Sequence, residues 1–184
     1  MRWSQLKKRV EETFSDSVKG RVEIWSTRYR HAHDGEGEAW ITIDKTRIRT
    51  MGTLRYYVAQ GAAARRIQEE RGCTDFRNPE QSAGYYNAWN EANRTVQEDG
   101  IFGASDLNRS LFAYLNLSIE DALESQNPII QAFGLLDKRF GKRRLAEFDP
   151  GGKNPLVVQL YLFRCGVEGV SPRSHDPQDA MGTS

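Results

Sequence analysis

The sequence lacks the features that cross-link a small protein or attach it to a membrane. Its 184 residues contain only two cysteines, Cys73 and Cys165, too few for a disulfide framework, and no Cys/His spacing matches a zinc site. No stretch approaches the roughly eighteen apolar residues of a membrane-spanning helix, and the opening residues lack the apolar segment of a signal peptide. We therefore expect a cytoplasmic protein with reduced thiols, no membrane association, no metal site and no cofactor.

A large charge of one sign is also missing. The 26 Lys and Arg residues nearly balance the 25 Asp and Glu residues, and the formal net charge is +1. Such a chain has no global field to attract nucleic acid or membrane, so any basic footprint must be local. Phosphate-binding glycine loops and the common hydrolase signatures GxSxG and HExxH are absent as well. The frequent nucleotide-binding and hydrolase classes are therefore not indicated.

What is present is a strand pattern in residues 20–51. Val22 opens a segment in which side chains alternate with a period of two, and Ala39–Asp44 and Lys45–Met51 continue the pattern. Asp44 and Lys45 fit a tight turn between two strands. The pattern predicts a three-stranded antiparallel meander, which needs a helical layer on at least one face to be stable.

Apolar residues recur at helical spacing before and after this meander. Asn-Pro pairs beginning at Asn78, Asn127 and Asn154 each supply an N-cap followed by proline at the first helical position. We expect the helix after Asn127 to reach Phe140, with Gly141 as its C-cap.

The long helix between Thr53 and about Arg71 carries several apolar side chains. We expect it to bury Leu54, Tyr57 and Val58 and to leave Tyr56 nearer the surface.

The predicted fold class is α+β, a small three-stranded antiparallel meander near the N-terminus packed with five to seven helices. We expect residues 1–170 to form a single domain, because a chain of this length can bury a sizeable core. Residues 171–184 have almost nothing to bury and are predicted to be a disordered tail.

Several blocks of the chain form a recognisable set. They are the opening MRWSQLKK, the sheet segment GRVEIWSTRYRHAHD, the helical segment NPIIQAFGLLDKRFGKRRL and the last helix NPLVVQLYLFRCGVEGV. Together they resemble a family of short bacterial proteins with no assigned activity, over roughly residues 1–170. The resemblance implies a bacterial cytosolic source and a single domain, and it carries over no catalytic or ligand-binding residue.

A first candidate site follows the first strand, where His31, His33 and Asp34 lie close together in sequence. Imidazoles titrate near neutral pH, and side chains two apart on a strand share a face. With Glu36 or Glu38 this cluster could bind a metal, or with Arg28 or Arg30 it could cleave a phosphodiester, as a small hydrolase or nuclease would. The same polar, glycine-containing stretch is also typical of a solvated hairpin loop.

A second candidate is the arginine set of the sheet. Arg28 and Arg30 share a face of the first strand, and Arg47 and Arg49 are predicted to share a face of the third. If both pairs face the same way, they form a basic surface, with Tyr29 and nearby tryptophans offering rings on which bases could stack. The alternative is a solvated sheet face whose aromatic residues belong to the core.

A third candidate is a basic helix end that includes Lys142, Arg143 and Arg144. These cations could contact phosphates, or they could satisfy the last carbonyls of a helix and its dipole.

The leading hypothesis is a non-enzymatic binding or accessory module for an anionic partner, such as a nucleic acid or nucleotide, or for another protein. A hydrolase or nuclease built on the histidine cluster is the first alternative. A homo-oligomer that associates through the sheet edge or the tyrosine-rich helices is the second.

Overall fold

The computed structural model describes residues 1–27 and 37–173. Within these ranges the strands are β1 (Val22–Ser26), β2 (Glu38–Ile43) and β3 (Thr46–Gly52). The helices are α1 (Trp3–Thr13), α2 (Thr53–Arg71), α3 (Pro79–Glu98), α4 (Ala104–Tyr114), α5 (Ile119–Glu124), α6 (Pro128–Leu136), α7 (Lys142–Glu147) and α8 (Pro155–Glu168). The predicted α+β class is confirmed.

The sheet is the predicted antiparallel meander, with strand order β1-β2-β3. Asp44 and Lys45 both have positive φ angles, 48° and 66°, as a two-residue hairpin turn requires. The middle of one sheet face is buried, because alternate side chains of each strand point into the core. The buried side chains are Val22, Ile24, Ala39, Ile41 and Met51.

Helix α6 lies at the centre of the main core. Every residue from Ile129 to Leu136 is buried, so this helix has no wet face. It packs against α4, α5 and α8, and the same apolar cluster includes the inner face of the sheet and α1. One core therefore joins residues from both ends of the chain.

The three Asn-Pro helix starts are confirmed. The side chains of Asn78, Asn127 and Asn154 each accept a hydrogen bond from a backbone N–H of the first turn, and proline follows each of them. These caps satisfy donors that a helix leaves unpaired at its beginning.

The expected end of α6 is wrong. The helix stops at Leu136, because the Leu136 carbonyl accepts from Ser15 N (2.9 Å) and Lys138 N donates to the Thr13 carbonyl (2.9 Å). This bridge holds the backbone of Asp137 extended against Phe14. Gly141 is accordingly the N-cap of the short α7 rather than a C-cap.

Helices α2 and α3 form an antiparallel hairpin with a small cluster of its own. The cluster consists of Ala64, Ile67, Ala88 and Ala92. Helix α3 is the main neighbour of α2, which also contacts β3 at its beginning.

The expected burial of the first turns of α2 is reversed. Tyr56 is buried, its hydroxyl donates to the Asn93 side chain, and its ring lies beside Gly103. Leu54, Tyr57 and Val58 are instead 64%, 58% and 65% exposed. Tyr56 therefore ties the base of the hairpin to the body of the protein.

No helix within the described ranges is both long enough and apolar enough to cross a membrane. Residues 171–173 have no regular structure, and the rest of the predicted tail, residues 174–184, lies outside the described residues.

Candidate functional site

The residues predicted to be catalytic lie outside the described part of the chain. The same is true of three predicted binding residues, and the full set is Arg28, Tyr29, Arg30, His31, His33 and Asp34. Elsewhere, in residues 1–27 and 37–173, no group of three or more His, Cys, Asp or Glu residues could hold a metal ion.

Arg47 and Arg49 do not share a face of the sheet, contrary to the expectation from sequence. A β-bulge shifts the pairing between β2 and β3, so that Arg49 lies opposite Ile41 and Arg47 opposite Thr42. Because Ile41 and Thr42 point to opposite faces, the two arginines do so as well.

The two arginines accordingly have unlike surroundings. The guanidinium of Arg49 donates to the Gly100 carbonyl at 3.4 Å, and its burial lowers its pKa, with a further contribution from the charge of Arg55. Arg47 lies over the Trp40 ring, 4.2 Å from its centroid, and 4.0 Å from the Glu38 carboxylate.

The tryptophans of the outer sheet face already have partners. Trp25 and Trp40 are cross-strand neighbours whose nearly parallel rings lie 6.2 Å apart. The ammonium of Lys7 lies 3.9 Å from the Trp25 centroid, just as Arg47 covers Trp40. This row of two cations and two indoles stabilises the outer face of the sheet and leaves less ring surface for a stacked base.

Lys142, Arg143 and Arg144 form the first turn of α7 rather than the end of a helix, contrary to the expectation from sequence, and nearby acids neutralise them. Lys142 lies 3.4 Å from Glu168, Arg143 lies 3.3 Å from Glu147 and Arg144 lies 3.1 Å from Glu120. These pairs favour a structural role for the three cations over an open phosphate-binding surface.

A buried carboxylate, Asp137, precedes this basic segment in the chain. It accepts hydrogen bonds from the Tyr114 hydroxyl and from Arg139, whose Nη2 lies 2.7 Å away. Burial alone would raise the pKa of Asp137, but these hydrogen bonds outweigh it and hold that pKa below its ordinary value. Burial and the bond to Asp137 raise the pKa of Tyr114.

Arg164 is the largest fully buried side chain of the described residues. It donates to the carbonyls of Leu135 (2.7 Å), Asp137 (3.2 Å) and Phe140 (2.9 Å) and so closes the C-terminal end of α6. Glu168, one turn further along α8, balances its charge. Sequence reasoning missed this pair, although an Arg and a Glu four residues apart in an apolar helix were a usable signal.

A cleft of about 670 Å³ lies between α1, the end of β1 and α4. The described residues that line it are Met1, Arg2, Trp3, Leu6, Ser26, Thr27, Ser105, Asn108, Arg109 and Phe112. They bring together guanidinium groups, aromatic rings and small polar side chains from three elements that are distant in sequence.

The cleft is cationic. None of the described residues that line it is acidic. Arg2 lies on the α1 side of the opening and Arg109 on the α4 side, and both side chains are exposed. Arg109 also lines an adjoining polar crevice of about 200 Å³. An anion that entered the cleft could therefore meet two guanidinium groups and hydroxyl and amide donors.

None of these cleft residues was predicted from the sequence, because their meeting depends on how α1 and α4 pack across the sheet. One signal was available. Ser105, Asn108, Arg109 and Phe112 recur at helical spacing on α4, and Phe112 is 52% exposed on that otherwise polar face. A large exposed ring beside an arginine is typical of a binding surface.

Comparison with curated proteins and with solved structures finds no match. The resemblance of the sequence to an uncharacterised family is confirmed by a family model that matches residues 2–165. The chain belongs to the SF0329 protein family.

Proposed function

We propose that the protein is a non-enzymatic binding module that takes a nucleotide, or part of a single-stranded nucleic acid, in the cleft between α1 and α4. The observation that carries the proposal is the lining of this cleft, which contains two arginines and two aromatic rings and no described acid.

The arginines suit the phosphate of such a ligand. A guanidinium group presents several N–H donors in one plane and binds phosphate oxygens in pairs. Arg2 and Arg109 approach the cleft from different elements, so one phosphate group could be held from two sides. Ser105 and Asn108 add neutral donors beside them.

The aromatic residues suit the base. Trp3 is partly buried and Phe112 is exposed, and both line the same cleft. Stacking of a base on an aromatic side chain contributes about 1–3 kcal/mol and tolerates any base sequence. A ligand that combines a phosphate with a planar base therefore uses both halves of the lining.

The cleft is a better candidate surface for an anionic ligand than either of the two basic groups that were predicted from the sequence. The cations of α7 are each paired with an acid, and Arg47 and Arg49 point to opposite faces of the sheet. The anionic partner is thus retained in the proposal, while its binding surface moves to α1 and α4.

The hydrolase alternative stays a prediction, because His31, His33 and Asp34 lie outside the described residues. A bacterial cytosolic setting also remains part of the proposal. Cys73 and Cys165 are both free and buried, which fits a reducing compartment.

The test is a binding titration by fluorescence anisotropy. The probes are a labelled single-stranded oligothymidylate of about ten nucleotides, within the usual site sizes, and a labelled ATP. We expect the double variant Arg2→Ala, Arg109→Ala to bind at least tenfold more weakly. The slope of log affinity against log salt should fall in magnitude by about 0.7 for each lost phosphate contact of a single strand.

Arg143→Ala is the matched control, because Arg143 is an exposed arginine that pairs with Glu147 away from the cleft. It should bind both probes as the wild type does. Wild-type protein that binds neither probe at low salt, or a double variant with unchanged affinity and salt slope, would overturn the proposal.

A further inference from the structure

A narrow polar crevice of about 200 Å³ opens beside the cleft between α1 and α4, and the proposed function leaves it without an occupant. Its walls come mainly from α3, α4 and the beginning of α6. Among the described residues, Arg109 alone lines both spaces, so the crevice and the cleft meet at this guanidinium group. A ligand held by Arg109 therefore lies within reach of both.

The crevice differs from the cleft in charge. It is lined by the Asp106 carboxylate and by the side-chain amides of Asn93 and Gln97, whereas no described residue of the cleft is acidic. A carboxylate repels a phosphate group at close range. The phosphate of a ligand is therefore favoured in the cleft, and a neutral polar group is favoured in the crevice.

The fold uses only part of the hydrogen-bonding capacity of these three side chains. Asp106 accepts from Gly103 N through Oδ2 at 2.8 Å, and its Oδ1 has no partner among the described residues. Asn93 accepts from the Tyr56 hydroxyl through Oδ1, and within the same ranges its Nδ2 donates to nothing. The side-chain amide of Gln97 likewise has no partner in the described part of the chain. An acidic acceptor and two amide groups are thus left for a ligand.

The remaining walls of the crevice are fixed before any ligand binds. Phe102 and Ile129 are only 2% and 1% exposed and belong to the main core. Ser110 accepts a hydrogen bond from Asn127 at 2.9 Å, and Asn127 also caps α6. A site with such walls loses little binding free energy to the ordering of side chains.

We propose that the crevice holds the sugar of the ligand by its neighbouring hydroxyl groups, so that the ligand is a ribonucleotide or RNA rather than its deoxy counterpart. The inference rests on the function proposed above. A hydroxyl group both donates and accepts, so the 2′-hydroxyl can donate to Asp106 and accept from the amide of Asn93 or Gln97. This hydroxyl is the group by which proteins distinguish RNA from DNA.

The spacing along α4 suits such a ligand. Asp106, Arg109 and Phe112 are each three residues apart, where helical side chains are neighbours. They span about 9 Å along the helix axis. Hydroxyl groups at Asp106, a phosphate at Arg109 and a base on Phe112 are thus the three parts of one nucleotide, each beside a side chain of matching chemistry.

The experiment compares ligands that differ only at the 2′ position, by isothermal titration calorimetry. The pairs are ATP with 2′-deoxy-ATP, and oligouridylate with oligodeoxyuridylate of about ten nucleotides. On whichever pair the wild type binds more tightly, we expect the ribose form to bind at least tenfold better, because the deoxy form leaves a charged acceptor without its donor.

Two variants test whether the crevice is the source of this preference. Asp106→Asn keeps an oxygen that can accept from Gly103 N and removes the charge, and it should reduce the ratio to about threefold or less. Gln97→Ala should lower the ratio in the same direction. Asp121→Asn is the matched control, because Asp121 occupies the same position in α5 as Asp106 does in α4 and does not line the crevice. It should keep the wild-type ratio.

The outcomes separate this inference from the proposed function. Equal affinities for the ribose and deoxyribose forms, with binding still dependent on Arg2 and Arg109, would overturn the sugar site and leave the proposed function standing. A ribose preference that persists in both Asp106→Asn and Gln97→Ala would overturn the assignment to the crevice. Wild-type protein that binds none of these ligands at low salt would overturn both proposals.

Discussion

The Arg164 side chain donates from Nε to Oε1 of Glu168 at 3.0 Å, and both side chains are almost fully buried. The remaining donors of Arg164 reach three backbone carbonyls at the end of α6 and before α7. Glu168 also accepts from the Ser17 hydroxyl. This pair therefore connects the last helix to the central helix and to the segment that precedes the sheet.

We expect Arg164→Met to lower the free energy of unfolding by about 3–5 kcal/mol, because it leaves three buried carbonyls and a buried carboxylate without their donor. Glu168→Gln should lower the free energy of unfolding by less than Arg164→Met does. The double variant should be clearly more stable than the sum of the two single losses predicts. Urea unfolding of the four proteins checks this. Strictly additive losses would show that the two side chains act independently.

Asp137→Asn tests the buried carboxylate. We expect a loss of about 2 kcal/mol at pH 7, less than for a fully buried pair because Arg139 is partly exposed and can turn to solvent.

The loss should depend on pH in a defined direction. The folded-state pKa of Asp137 lies below its ordinary value of 3.8, so the unfolded chain takes up this proton first as the pH falls. The stability contributed by Asp137 is complete above pH 4 or so and disappears as the pH falls through the lower folded-state pKa. Unfolding of wild type and variant at a series of pH values checks the trend, and a difference that grows on acidification contradicts it.

The main elements of the fold were predictable because their signals are local. Asn78, Asn127 and Asn154 mark helix starts through their own side chains and the prolines that follow. The end of α6 was not predictable in this way, because the chain there pairs with Phe14, which is distant in sequence. The β-bulge that separates Arg47 from Arg49 was not predictable for the same reason, since a bulge is a property of two paired strands.

Tyr56 and Tyr57 provide a direct check of the hairpin. Tyr56→Ala should lower the free energy of unfolding by about 3 kcal/mol, because it removes a buried ring and its bond to Asn93. Tyr57→Ala should change stability by no more than about 0.5 kcal/mol, because that ring is mostly in solvent. Thermal unfolding of dilute samples compares them, and equal effects would contradict the observed burial.

Burial of the Tyr56 ring raises the pKa of its hydroxyl to about 12, and the charge of Asp106 adds to the shift. Since an unfolded tyrosine ionises at about pH 10, folding is expected to weaken as the pH rises above that value. Tyr56→Phe should remove the part of the stability loss at alkaline pH that comes from this hydroxyl. An unchanged alkaline profile of the variant, measured by chemical unfolding between neutral and alkaline pH, would contradict the assignment.

Phe112→Ser separates binding from stability at the cleft. Because Phe112 is 52% exposed, we expect thermal unfolding to change little, while affinity for the oligothymidylate probe falls by roughly tenfold through lost stacking. Leu162→Ser, at a similarly exposed position on α8, is the control and should bind normally. Loss of stability with no loss of affinity would assign Phe112 to the core instead.

The residues that line the cleft could not be grouped together from the sequence alone. Arg2 and Arg109 carry no pattern that relates them, and only the packing of α1 and α4 across the end of β1 brings them to one opening. The histidine and arginine cluster drew attention because its members are neighbours in sequence. A site whose members are distant in sequence offers no such cue, apart from an exposed ring such as Phe112.

The separate cluster of the α2–α3 hairpin has a further consequence. The chain leaves the main core at Met51 and re-enters it at Phe102, both of which are buried there. Most of the chain between them packs around the hairpin's own cluster and is connected to the body only near its base, so hydrogen exchange should occur there by local opening while the body stays protected. A change in the length of this arm would therefore disturb its own small cluster and leave the packing around α6 in place.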